Sequence, residues 1–401
     1  MASGTSRRRR LVTRPALVAA AAGAGSALGM ASATVATSAY IARRVLTPDE
    51  LQPDDVAVTA HDGDSVTFGA TVDTTAPGRY GVWLDGGRGH LRVGEVLSRD
   101  ATTVRRALVS VDRGEVAVGP ARWNQYYYWD RPSVSLGLAD EDVEVRSDVG
   151  AMPAWLVRPP SPSGGGGDWA VLVHGRGARK EETLRAVPVL QDAGWSALVV
   201  AYRNDRDAPR GPDGRYNLGL SEWRDVEAAV RYAVEHGARR VVLFGWSMGG
   251  AIALQLLAQS PLAHHVVAVV LDSPVVDWGS VIAHHARTNR FPSPLVSLTT
   301  GLMASSHARR LVGVIEPVDV ALTDWVTRAD ELTRPMLVIA SAGDAFVPDT
   351  AALALAERRP DLVRLERWEV ARHCREWNTD PVRWERAVRD FLVDLGRPRS
   401  T

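Results

Sequence analysis

One cysteine, Cys374, stands in 401 residues. Its solitude excludes an intrachain disulfide and any zinc site built from cysteine thiolates. Net charge is also missing. Lys and Arg total 47 and Asp and Glu total 47, so no global field favours nucleic acid or another polyanion, and nucleic-acid binding is not expected. No internal repeat is visible. What remains is ordinary for a folded soluble chain, with 45% hydrophobic and 23% charged residues. The length suffices for a large core and for more than one domain plus an appendage.

The N-terminus is the exception to charge balance. Arg7, Arg8, Arg9, Arg10 and Arg14 precede a charge-free stretch from Pro15 to Ala42, rich in Ala, Gly, Ser and Val, that closes at Arg43-Arg44. A basic start followed by an apolar segment of this length fits a signal peptide or a transmembrane signal anchor over residues 1–46. Small residues such as Ala31-Ser32-Ala33 suit a cleavage site. The arginines would hold the start of the chain in the cytoplasm. The expected location is therefore the cell membrane, with the rest of the chain extracytoplasmic, or the exterior after secretion.

Residues 47–141 read as a small β-rich domain. Short alternating runs such as Val56-Ala57-Val58-Thr59, Ser65-Val66-Thr67-Phe68 and Tyr80-Gly81-Val82-Trp83-Leu84 are separated by Asp-Gly and Gly-Gly turns, as strands and hairpins require. The aromatic cluster Trp123, Tyr126, Tyr127, Tyr128 and Trp129 is expected at a sheet face or an interdomain contact, with a ligand surface as the alternative. From 142 to 398 the rhythm changes to alternating strands and helices, which predicts a mostly parallel sheet covered by helices. An opening hairpin at Val143–Val145 and Ala154–Val157 leads to a strand over Trp169–Val173 and a helix over Lys180–Asp192. A strand over Ala197–Tyr202 and a helix over Ser221–His236 follow. Later strands are predicted over Val266–Leu271, Met336–Ala340 and Val363–Val370, and later helices over Thr350–Arg358 and Pro381–Leu395. The segment 275–332 shows helical patches without sheet rhythm and reads as a cap.

The chemistry concentrates at Val241-Val242-Leu243-Phe244-Gly245-Trp246-Ser247-Met248-Gly249-Gly250. Four apolar residues suit a strand buried on both faces, and the Ala, Ile and Leu residues that follow suit a helix packed on the same sheet. Between them, Gly245-Trp246-Ser247-Met248-Gly249 has the pattern of a nucleophile elbow, a turn sharp enough to present a serine hydroxyl to a base. An acid and a base stand downstream. Asp344 leaves the strand Leu337–Ala340 in a Gly-containing turn and is placed to accept an imidazole N–H. Asp272, at the end of the preceding strand, is the rival acid. His373 follows the last strand and precedes the terminal helix, from where it can take the Ser247 proton. The pairs His264/His265 and His284/His285 have no acid at a comparable strand end.

The order of these pieces resembles the α/β-hydrolase family over roughly the last 250 residues. That resemblance implies an α/β-hydrolase fold with a small helical cap behind the β-rich domain, and a catalytic triad of Ser247, Asp344 and His373. It also implies that Val171-Leu172-Val173-His174-Gly175-Arg176-Gly177 forms the oxyanion loop. The backbone N–H groups of Arg176 and Met248 would then hold the tetrahedral oxyanion, with His174 shaping the loop. The aromatic Trp246 before the nucleophile looks like the prolyl-oligopeptidase-related branch of the esterase and lipase fold. Those peptidases carry a β-propeller, which about 95 residues cannot build.

The function expected is cleavage of carboxylic esters or related acyl bonds of small molecules through an acyl-enzyme, with no cofactor and no metal. Two other readings stay open: a peptidase or amidase using the same triad, and a non-catalytic cell-envelope interaction protein on a hydrolase scaffold. Oligomeric state and substrate are not legible.

Overall fold

The computed structural model of the chain describes residues 32–48 and 52–396. The β-rich part is a closed six-stranded antiparallel barrel, β1 (Val56–His61), β2 (Ser65–Gly69), β3 (Tyr80–Leu84), β4 (Gly89–Arg99), β5 (Thr103–Arg113) and β6 (Gly119–Asn124), in the order β1-β2-β5-β4-β3-β6. Closure removes every free edge, so a small sheet becomes a self-contained unit. Val58, Val66, Phe68, Val82, Leu91 and Val104 fill its interior. Trp123 belongs to that core, packed edge-on to Phe68 with ring centroids 5.8 Å apart.

The second unit is an eight-stranded sheet. Its strands are β7 (Glu141–Ser147), β8 (Gly150–Val157), β9 (Asp168–Val173), β10 (Ser196–Val200), β11 (Arg240–Trp246), β12 (Val266–Asp272), β13 (Met336–Ser341) and β14 (Val363–Trp368). They lie in the order β14-β13-β12-β11-β9-β10-β8-β7. β7 and β8 form the antiparallel hairpin at one edge, and β9 to β14 run parallel. Side chains alternate between two cores, as the two-residue period of a strand dictates. Val171, Val173 and Leu243 point to the layer holding the helices Trp223–Glu235 and Met248–Gln259. Ala170, Leu172 and Phe244 point to the opposite layer, with Val187–Asp192 and Pro381–Leu395.

Strand order reverses between β9 and β11, whose ends pair Gly245 with Val173. A parallel sheet opens a crevice at such a switch point, beyond the carboxyl ends of its strands. The cap supplies the helices Trp278–Thr288 and Ser293–Ala304 above it.

Two expectations are adjusted. The helix predicted over Lys180–Asp192 is a 3₁₀ segment, Lys180–Ala186, followed by a short α-helix, Val187–Asp192. Pro188 sits in the first turn of that α-helix, where its missing N–H costs nothing, whereas one continuous helix would place it in the interior. The last strand ends at Trp368, not Val370, because its partner β13 ends at Ser341.

The expected leader lies outside the described residues as far as position 31, so its membrane role is not described. Residues 32–46 form a helix whose Ser38, Ala39, Ala42 and Leu46 are buried. Small residues let this helix lie close, and the Arg43 guanidinium donates to the Leu311 carbonyl at 2.8 Å. Among the described residues, no helix is long and apolar enough to cross a membrane.

Candidate active site

Ser247 occupies the turn between β11 and the helix Met248–Gln259 with φ 50° and ψ −114°. A non-glycine residue there is strained by roughly 1–3 kcal/mol, which the surroundings must offset. They do so through backbone bonds: the Ser247 N–H donates to the Asp272 carbonyl at 3.0 Å, and the Ser247 carbonyl accepts from Val275 and Gly250, each at 3.0 Å. Glycine is required on both sides by close approach. A Cβ on Gly245 would lie 2.5 Å from the Gly249 carbonyl oxygen, and one on Gly249 only 2.2 Å from that of Val173.

Ser247, Asp344 and His373 are brought together from three strand ends. His373 Nε2 lies 2.9 Å from Ser247 Oγ, and His373 Nδ1 lies 2.6 Å from Asp344 Oδ2. The other Asp344 oxygen accepts the N–H groups of Phe346 and Val347 at 2.8 and 2.9 Å. The carboxylate is thereby locked in the turn that follows β13. With Asp344 accepting from Nδ1–H, Nε2 is left as the acceptor for the serine hydroxyl.

The loop after β9 stands beside the elbow. A Cβ on Gly175 would come within 3.2 Å of Ser247 Cβ. The Gly175 N–H donates to Glu182 Oε2 at 2.7 Å and the Gly177 N–H to the Tyr216 hydroxyl at 3.3 Å, so the peptide of Arg176 between them is held from both sides. Met248 opens its helix, where backbone N–H groups have no acceptor within the helix. His174 is fully buried, paired to the Gly175 carbonyl at 2.9 Å and to Asp205 at 2.8 Å. Both ring nitrogens are engaged away from Ser247. Asp272, the rival acid, accepts the Trp384 indole N–H at 2.8 Å. His284 and His285 bond the Ala345 and Phe346 carbonyls, each at 2.9 Å, tying the cap to the Asp344 turn.

A cavity of about 1020 Å³ opens on Ser247 and His373. Cap residues Trp278, Val281, Ile282, Phe291 and Leu295 give it an apolar wall. Ile41 and Val45 of the helix 32–46 extend that wall, while Gln125 and Tyr126 of the barrel segment and Arg372 and Arg375 give a polar one. Motif reasoning does not reach these residues, because nothing local marks a side chain that arrives from another unit. The aromatic cluster divides: Tyr126 lines the cavity, while Tyr127 and Tyr128 pack on Trp377 at 5.6 and 5.8 Å between ring centroids.

The barrel grips the loop that carries His373. Asp73 accepts from Arg372 and, at 2.6 Å, from Arg375. The Asn378 amide donates to the Arg79 and Gln125 carbonyls at 2.7 and 2.9 Å. Burial would raise the Asp73 pKa, but the two arginines outweigh it and hold the carboxyl below its usual range. Its stabilising contribution is therefore complete above about pH 4, the ordinary aspartate value, and is lost as pH falls through the lowered folded one. Asp73→Ala should loosen the loop at neutral pH. Charge-assisted bonds of this kind contribute about 1.5–3 kcal/mol each before solvent screening, so a loss of stability of about 1–2 kcal/mol is expected. Urea unfolding followed by far-ultraviolet circular dichroism checks this, and an unchanged midpoint would remove the barrel from control of the loop.

Comparison with known proteins agrees with this architecture. The alpha/beta hydrolase family matches residues 170–396, and a domain of unknown function (DUF8805) matches residues 56–124. The chain is 28% identical to a pimeloyl-[acyl-carrier protein] methyl ester esterase of Aromatoleum aromaticum, covering 51% of this chain and 90% of that protein. It is also 28% identical to an uncharacterized protein of Mycobacterium tuberculosis, covering 55% of this chain and 67% of the relative. Among solved structures, an esterase of Pyrococcus furiosus superposes with a TM-score of 0.51 at 18% identity, over 66% of this chain and 94% of that one. Sheet order, elbow and matched span together place this chain in the alpha/beta hydrolase family.

Proposed function

We propose that the chain is a serine hydrolase that cleaves carboxylic esters through an acyl-enzyme. The observation that carries this reading is the continuous relay Ser247 Oγ, His373 Nε2, His373 Nδ1, Asp344 Oδ2, with steps of 2.9 and 2.6 Å at its two hydrogen bonds. Ser247 Oγ attacks the ester carbonyl carbon as its proton passes to His373 Nε2, and Asp344 stabilises the resulting imidazolium. Charge develops on the carbonyl oxygen, for which the backbone N–H groups of Met248 and Arg176 are the proposed donors. His373 then protonates the departing alkoxide, and water activated by the same nitrogen releases the acid. The methyl ester esterase name of one relative supports an ester over an amide substrate.

The apolar wall under the cap is the proposed acyl site. Each buried methylene is worth about 0.8 kcal/mol, so kcat/KM should rise roughly fourfold per added carbon until the wall is filled. A series of p-nitrophenyl esters from acetate upward, run beside aminoacyl anilides, reads this directly. A rising series with inert anilides is expected, and anilides cleaved as fast as the esters would overturn the ester reading.

A further inference from the structure

Directly behind the relay lies a buried acidic pair that the proposed chemistry does not use. Asp272 ends β12, and Glu376 stands three residues after His373; both side chains are buried. Asp272 Oδ2 accepts the Trp384 indole N–H at 2.8 Å, and Glu376 Oε1 accepts the Ser273 hydroxyl at 2.8 Å. The remaining oxygens, Asp272 Oδ1 and Glu376 Oε2, are buried with no hydrogen-bond donor, and the Asp272 charge acts directly on the Glu376 carboxyl. Two neighbouring carboxylates shut away from water disfavour joint ionisation, whereas one proton between them can make a strong O–H···O⁻ bond.

The pair is wired to the base. Ser273 Oγ, while donating to Glu376, accepts the Cys374 N–H at 3.0 Å, and Arg185 donates to the Cys374 carbonyl at 2.6 Å. Ser273 and Cys374 both sit at positive φ, 45° and 53°, so the peptide that follows His373 is a strained one held by these bonds. We propose that Asp272 and Glu376 hold one proton between them, and that this carboxyl–carboxylate pair is the brace that positions His373 by keeping Ser273 Oγ turned to the Cys374 N–H. Glu376 is thus a positioning residue. The inference rests on the reading of His373 as general base given above.

The groups facing the pair set the sign of its pH response. Burial, followed by the Asp272 carboxylate, pushes Glu376 well above the usual carboxyl range, and Asp344 adds in the same direction. Glu182 supplies further negative charge to this pocket and Arg185 the opposing cation, while burial keeps the Cys374 thiol protonated and uncharged. The raised Glu376 value means that stability falls as pH rises from about 4.3, the ordinary glutamate value, toward the folded one. When the proton leaves to solvent, two adjacent anions remain, Glu376 must turn away, and the Cys374 peptide is released. Turnover then declines through kcat as pH rises through the raised folded Glu376 value, with KM little changed.

Infrared difference spectroscopy of the full chain, wild type minus Glu376→Gln at neutral pH, should show the carbonyl stretch of a protonated carboxyl, and the same band should appear in a Ser247→Ala background. Absence of the band overturns the shared proton. In kinetics, Glu376→Ala should lower kcat on the order of 10- to 100-fold, and Glu376→Gln should recover most of that loss. The high-pH limb of the Gln variant's profile, normalised to its own maximum, should also move upward by at least about one pH unit. Equal losses in Ala and Gln, or an unmoved limb, sink the brace. If the alanine variant does not fold, the band and the Gln limb still decide. Ester turnover that survives Ser247→Ala would instead sink the hydrolase reading and leave the band in place.

Discussion

Ser247→Ala should lower ester turnover by about 10⁴- to 10⁶-fold, in line with removal of a nucleophile from other serine triads. The expectation is unusually clean at this position. Serine and alanine share the same Cβ, so the strained turn at φ 50° and the packing around it are unchanged, and only the hydroxyl that His373 Nε2 meets at 2.9 Å is lost. A fluorophosphonate probe should label the wild type at Ser247 and leave the alanine variant unmodified. A folded wild type that resists the probe would favour a non-catalytic interaction protein on a hydrolase scaffold.

The second large effect is expected at Asp344. Asparagine keeps the size of the side chain, but one of its two polar ends must now be an N–H donor. Turned toward Phe346 and Val347, whose N–H groups bond Oδ1 at 2.8 and 2.9 Å, the amide nitrogen would face two donors. Turned the other way, it would donate to His373 Nδ1 and force the proton onto Nε2, where the base must be vacant. The wrong tautomer in such an arrangement lowers kcat by about 10⁴-fold. Binding, which depends on the cavity and not on the tautomer, should be nearly unaffected, so steady-state kinetics should show the loss in kcat with KM held. His373→Ala should cost at least as much, on the order of 10⁴- to 10⁶-fold. A large loss in Asp272→Asn with near-normal Asp344→Asn would reverse the choice between the two acids.

Much of the architecture was legible from residue order. Periodicity separated a strand-only stretch from an alternating one. β9 and β13 are buried along their whole length, and β11 and β12 everywhere but at Arg240 and Val267, which is why they read as parallel strands. The Gly-x-Ser-x-Gly turn was legible because its glycines answer a local steric demand: a Cβ at Gly245 or Gly249 has no room. The inner break between Lys180 and Asp192 was less so. There Glu182 and Arg185 turn inward, one holding the Gly175 N–H and the other the Cys374 carbonyl, and an inward charge breaks the amphipathic pattern on which helix reading depends.

Other features had no local signature. The barrel's hold on the His373 loop joins Asp73 to Arg372 and Arg375 across some 300 positions of sequence. The helix 32–46 carries no charge before Arg43 and reads as the tail of a leader, yet its small Ser38, Ala39 and Ala42 are buried and its Ile41 and Val45 line the cavity. Asp272 read as a rival acid because a strand end is where an acid is sought; its carboxylate instead accepts the Trp384 indole N–H.

Residue order alone therefore determined the sheet, the elbow and the three side chains nominated for the relay, because each depends on spacing within one strand and its following turn. Tertiary structure decided which carboxylate meets the imidazole, which residues wall the cavity and what braces the base. Those outcomes depend on distances between strand ends and between units, and such distances exist only once the apolar faces of the sheet and the barrel have been buried.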